Sequence, residues 1–182
     1  MKHIKLIYFS KKEKVQLNIS KIKKTEILSN DDVGVKRASD IIKSGGLVAL
    51  PTETVYGLGA DATNPKAIDL IYKTKGRPSI NPLIIHVFDN NYVFEIADKN
   101  KLAEDLSSKF WPGPLTLILN KKNNSKLKIA KNALADLSTI AVRVPAHPVF
   151  RNLLKKCNLP IACPSANFSG KLTSTRFEDV LS

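Results

Sequence analysis

Cysteine is scarce in this chain: Cys157 and Cys163 are the only two in 182 residues. Their spacing fits neither a redox pair nor a zinc module, which excludes a disulfide scaffold and a cysteine-rich metal domain. Reduced thiols are the simplest state, so the protein reads as cytoplasmic. Long apolar runs are missing too. None approaches the ~20 residues of a membrane-spanning helix. A short apolar patch, Leu6-Ile7-Tyr8-Phe9, sits among Lys2, Lys5, Lys11 and Lys12. It lacks the long apolar stretch and small-residue cleavage site of a secretory leader. There is no G-x-x-x-x-G-K-[ST], which excludes a P-loop. His3, His86 and His147 lie far apart without companion ligands, which argues against structural zinc. Ser165 has no G-x-S-x-G context, so serine hydrolase chemistry is not expected.

Acidic residues are few. Sixteen Asp and Glu face 29 Lys and Arg, for a net charge of +13. The excess is local. Residues 1–24 hold eight lysines and one glutamate, and residues 121–131 hold five lysines and no acid. Such lysines offer contact with RNA phosphates. Solvated surface charge is the favoured reading, because no aromatic residues are interleaved with them.

What is present suits one globular domain with a sizeable core: 182 residues, 43% of them hydrophobic. Residues 1–24 read as a basic N-terminal extension, with a strand at Lys5–Phe9 and period-two alternation over Val15–Ile19. Residues 25–182 read as the domain. Asp31 or Asp32 caps a helix whose inward face is Val35, Ala38, Ile41 and Ile42, and Gly45-Gly46 stops it. Leu47–Leu50 reads as a buried strand. Asn64-Pro65 opens a helix with Ala67, Ile68 and Ile71 inward. Leu83–Val87 reads as a strand, and Leu102, Leu106 and Phe110 mark a helix that ends at Pro112. Strands follow at Leu115–Leu119, Ile140–Val144 and Leu159–Cys163, with a helix over Val149–Leu154. A last short helix is expected from Thr173-Ser174-Thr175 onward, carrying Phe177, Val180 and Leu181. The alternation predicts an α/β fold, a twisted mixed sheet flanked by helices.

Five segments are poor material for a core. Pro51-Thr52-Glu53-Thr54-Val55-Tyr56-Gly57-Leu58-Gly59 places hydroxyls, a carboxylate and two glycines after a strand. The glycines remove side chains where a ligand or another backbone comes close. Lys75-Gly76-Arg77-Pro78-Ser79-Ile80-Asn81-Pro82-Leu83 reads as part of a cationic loop. Trp111-Pro112-Gly113-Pro114-Leu115-Thr116, Val142-Arg143-Val144-Pro145 and Pro164-Ser165-Ala166-Asn167-Phe168-Ser169-Gly170 complete the set. Arg143 lies among apolar neighbours and needs an anionic partner, either a structural carboxylate or a ligand's.

In this order the five segments resemble the YrdC-type family of L-threonylcarbamoyladenylate synthases, from about Thr25 onward. The resemblance implies a YrdC-like mixed sheet with a concave groove. It implies formation of threonylcarbamoyl-AMP and pyrophosphate from L-threonine, bicarbonate or CO2, and ATP. It implies Mg2+ with the ATP, contact with tRNA or double-stranded RNA, and a downstream tRNA threonylcarbamoyl-transfer machinery. Matched motif by motif, Lys75, Arg77, Asn81, Thr139, Ser165, Asn167 and Thr173 stand at ATP positions, Lys75 and Arg77 being the candidate catalytic cations. Thr54, His86, Arg143 and Cys163 stand at L-threonine positions. No protein-built metal site is expected. The family continues through an E-S-T-V-V-D-type strand and a later arginine that this sequence lacks, so the chain reads as C-terminally truncated. An RNA-binding module of the same fold with little catalysis is the alternative. A carbamoyl-transfer module of larger maturation proteins is a third reading, disfavoured by the absence of zinc segments.

Overall fold

The computed structural model describes residues 25–181 and the backbone of a strand at Leu6–Phe9. That strand, β1, pairs antiparallel with β2 (Thr25–Leu28) and with β3 (Leu47–Pro51). The Val15–Ile19 alternation lies outside the described residues. Between β2 and β3 runs α1 (Asp32–Lys43), with Val35, Ala38, Ile41 and Ile42 buried. Asp31 is the cap, accepting from the Gly34 N–H at 2.9 Å.

β3 turns back directly into β4 (Tyr56–Asp61), and every residue of both strands is buried. The Pro51–Gly59 run is therefore a hairpin. Thr52 builds its turn. Its hydroxyl accepts from the Thr54 and Val55 N–H groups at 3.1 Å and donates to Val55 O at 2.7 Å. α2 (Pro65–Lys75) follows, capped by Asn64 and ended by Gly76 at φ 58°.

Beyond α2 come β5 (Ile85–His86), α3 (Asn90–Ile96), α4 (Lys101–Phe110), β6 (Leu117–Asn120), β7 (Thr139–Arg143), α5 (Pro148–Cys157), β8 (Ile161–Ala162) and α6 (Glu178–Leu181). The eight strands form one sheet in the order β2-β1-β3-β4-β8-β5-β7-β6. Only β5 and β7 pair in parallel, and the remaining neighbours are antiparallel. The sheet is mixed, as expected.

Strand alternation assigns each face its own core. Leu58, Ala60, Ala162, Ile85, Ile140 and Val142 pack with Ala67, Ile68 and Ile71 of α2. Val48, Leu50, Ile161 and Cys163 pack with α1 and α5. The register places His86 beside Arg143 and Ile161, so both polar side chains belong to the second face.

Several sequence expectations need correction. α4 buries Ala103 and Ser107, while Leu102 and Phe110 are exposed. The Ser107 hydroxyl donates to Glu104 O of its own helix at 3.1 Å, so burying it leaves nothing unpaired. α3 was not foreseen. Its start rests on the Asp89 carboxylate accepting from Tyr92 N–H at 3.0 Å. Residues 173–175 are not helical, and the Ser174 carbonyl accepts from the Tyr56 N–H at 2.9 Å instead.

Candidate functional site

The second face continues past its apolar core into a polar cluster. Arg143 ends β7 and is buried. Its Nε donates to Gly113 O at 3.2 Å, which employs the Trp111–Leu115 turn as a support. Its Nη2 lies 2.8 Å from Glu53 Oε1. That contact is close enough for an ion pair but out of line for a hydrogen bond, and Nη2 has no aligned acceptor among the described residues. Glu53 Oε1 also accepts from the Ala146 N–H at 3.2 Å. The anionic partner of Arg143 is thus the glutamate of the hairpin turn.

Burial pushes the Glu53 carboxyl up, but the Arg143 guanidinium and the Ala146 N–H outweigh it and hold the group below its usual value. His86 is fully enclosed, its ring 5.1 Å from that of Phe150. Burial, aided by the Arg143 charge, pushes its pKa down to about 3, so the imidazole is neutral at pH 7. Desolvation lowers His147, the residue preceding α5, as well.

Cys163 lies against Gly57, and a β-carbon there would meet its Sγ at 2.3 Å. The glycine in β4 serves a close approach by the protein itself. Burial pushes the Cys163 thiol up to about 12, against the opposing charges of Arg143 and Lys75. Cys163 therefore sits between two cationic regions.

The second region is built on α2. Lys75 is not in a loop: it is the last residue of the helix and is buried. Its ammonium donates to the carbonyl oxygens of Ser165 and Asn167, and Ser169 N–H donates to Lys75 O at 2.9 Å. Desolvation, with the Arg77 charge, lowers Lys75 to about 8. Two carbonyl acceptors favour the charged form, so we read Lys75 as an ammonium at pH 7. A Gly57–Ser165 bridge and Ala166 N–H donating to Tyr56 O at 2.8 Å fasten the same turn to β4.

Arg77 folds back on its own loop, donating to Asn81 O at 3.3 Å and Pro82 O at 3.2 Å. Asn81, Thr54 and Thr173 are exposed, and the Thr54 hydroxyl lies 3.0 Å from that of Thr52. Thr139 and Arg143 are four positions apart in β7 and share a face, with Thr139 at the far end of the strand. The Asn167 amide donates to Phe168 O and Lys171 O. Glu53 is the residue that motif matching passed over. The signal for it was available: a buried arginine needs a carboxylate, and the first motif carries one.

Among the described residues no group of three or more His, Cys, Asp or Glu is placed to hold a metal ion. No helix among them is long and apolar enough to cross a membrane.

A sequence model of the Sua5/YciO/YrdC family, described as telomere recombination, matches residues 40–182. The chain belongs to that family. The threonylcarbamoyl-AMP synthase of Bacillus subtilis is 43% identical over 157 residues, 86% of this chain and 44% of the relative. That of Pyrococcus abyssi is 44% identical over 142 residues, 78% of this chain and 41% of the relative. The crystal structure of P. abyssi Sua5 complexed with L-threonine matches with a TM-score of 0.78 at 42% identity, over 82% of this chain and 43% of that one. The chain spans a little under half the length of these relatives. Escherichia coli YciO, at 23% identity and a TM-score of 0.67, shares the fold.

Proposed function

We propose that this Sua5/YciO/YrdC chain forms threonylcarbamoyl-AMP and pyrophosphate from L-threonine, bicarbonate or CO2, and ATP, for a tRNA threonylcarbamoyl-transfer machinery. The observation that carries the reading is the placement of two charged subsites on either side of Cys163. Glu53, His86 and Arg143 form one, and Lys75 with the Ser165–Asn167 turn forms the other.

In this reading Arg143 takes the threonine carboxylate, and the Thr54 hydroxyl and the neutral His86 take its remaining polar groups. The threonine amine captures CO2 as a carbamate. A carbamate oxygen then attacks the α-phosphorus of ATP, and pyrophosphate departs. No side chain has to form a covalent bond. The protein's work is alignment of two substrates and stabilisation of phosphate charge. Lys75 and Arg77 supply that charge, with Asn81, Thr139, Ser165, Asn167 and Thr173 as polar contacts to the nucleotide. Cys163 forms the wall between the ligands.

The nucleotide side offers cations, hydroxyls and amides rather than carboxylates. A Mg2+ ion held by the phosphates and water fits that donor set, and when bound it would spread the charge of the leaving pyrophosphate. Free buried thiols at Cys157 and Cys163 suit a reducing, cytoplasmic setting. The alternative of an RNA-binding module without turnover is not favoured, since the relatives at over 40% identity are named as synthases.

Pyrophosphate release from ATP tests the proposal. Release that requires both L-threonine and bicarbonate is expected. Release independent of either one would contradict it.

A further inference from the structure

Glu53 does not make the contact that a purely structural partner of Arg143 would make. A carboxylate and a guanidinium that exist only to neutralise each other favour two parallel hydrogen bonds. Here one oxygen approaches Nη2 at 2.8 Å. Glu53 Oε2 and Arg143 Nη2 are buried without a hydrogen-bond partner among the described residues. His86 Nδ1 and His147 Nδ1 are in the same condition. Both histidines sense the charge of Glu53. Four of the six such side-chain atoms among the described residues therefore belong to one neighbourhood. Buried polar groups are rarely left unpaired, and an orphaned set in a site calls for a ligand that supplies the missing partners.

The charges say which ligand. Arg143 and Glu53 contribute one charge of each sign. His86 is neutral, and His147 is shifted the same way. A molecule with one anionic and one cationic group complements this pair without leaving a net charge in a desolvated place. An α-amino acid is such a molecule. We propose that Glu53 makes this subsite select a zwitterion, its carboxylate facing the ligand's α-ammonium while Arg143 takes the α-carboxylate. The inference rests on the proposed reading of this subsite as the L-threonine site, and it adds the residue that reads the amino group. Glu53 is suited to the task because its other oxygen is already fixed by the Ala146 N–H.

The selection has a definite sign. Removing the negative charge leaves Arg143 uncompensated, which favours a purely anionic ligand over a zwitterionic one. Two probes separate them: L-threonine, and its analogue with a hydroxyl in place of the α-ammonium. Calorimetry at pH 7 on the unaltered chain should show L-threonine bound more tightly by about tenfold or more, the scale of one buried charge contact. Glu53→Gln should shrink or reverse that ratio, and Glu53→Asp, which keeps the charge, should retain the preference.

If Glu53→Gln folds and keeps the ratio of the unaltered chain, the inference is overturned and the functional reading stands. If Glu53→Gln does not fold, the unaltered chain still decides, because equal affinity for the two probes means the ammonium is not read. If the unaltered chain binds no L-threonine, the functional reading falls, and this inference with it.

Discussion

Gly57 and Cys163 face each other so closely that a β-carbon on residue 57 would lie 2.3 Å from the Cys163 Sγ. The contact joins β4 to the turn after β8, and so joins the two motifs that begin and end the site. Gly57→Ala should cost about 1–3 kcal/mol, the usual range for overpacking a filled interior. Urea denaturation measures it. Adding Cys163→Ala should recover part of the loss, because it removes the atom that clashes. A double variant no more stable than the sum of the single changes would place the cost elsewhere.

Arg143→Ala should destabilise the fold by about 3 kcal/mol at pH 7, because it leaves the Glu53 carboxylate in a half-buried site without its cation. The loss should depend on pH. In the intact protein the folded Glu53 pKa lies below its ordinary 4.5. The pair therefore stabilises above that value and fades as pH falls through the folded pKa. Without Arg143, burial raises the carboxyl, and protonation relieves the strain. Urea midpoints at pH 7 and pH 4 should show a smaller difference between the two proteins at pH 4.

His86 acts on acid stability in the same direction for a different reason. Its folded pKa of about 3 lies below the ordinary 6.5. Between those values the unfolded chain binds a proton that the folded chain does not. Stability should therefore fall as pH drops from 6.5 toward 3, by up to about 1.4 kcal/mol per pH unit from this group. His86→Gln should flatten that slope in a series of urea melts. An equally steep slope would assign the acid sensitivity to other groups.

Among the described residues, the Arg77 guanidinium donates to carbonyl oxygens of its own loop. Arg77→Ala should leave the fold intact within about 0.5 kcal/mol. It should weaken a non-hydrolysable ATP analogue by about 1.5–3 kcal/mol, the range for a hydrogen bond to a charged group. Calorimetry beside a denaturation curve separates the two effects. Unchanged affinity in the folded variant would make Arg77 a surface residue only.

Local signals in the sequence were legible where one residue decides an element. Asp31, Asn64-Pro65 and Gly45-Gly46 cap or stop helices through their own side chains or lack of one, so no distant partner is needed to read them. The alternation of strands and helices gave the α/β class, and connections too poor in helical pattern for crossovers, such as that from Leu119 to Ile140, gave the mixed sheet. α4 forms where its apolar residues follow a helical period, but its buried face is Ala103 and Ser107 rather than Leu102 and Phe110. Apolar spacing does not reveal that a small face packs closer. Lys75 looked like part of a solvated loop because its charge is visible and its two carbonyl acceptors, some ninety residues later, are not. Glu53 was hidden in the same way. Its partner is ninety positions away, across a hairpin that the motif's glycines had disguised as a loop.

If one site takes an amino acid and a nucleotide side by side, as proposed, the two ligands stabilise the fold jointly. Melting temperatures of the chain should be measured with L-threonine, L-serine or L-alanine, each with and without ATP and Mg2+. A ligand at ~100 times its Kd adds about 2.7 kcal/mol. On the proposed function, L-threonine should give the largest shift of the three, and threonine with ATP should stabilise more than either alone. Equal shifts for all three amino acids, or no shift with ATP, would contradict it.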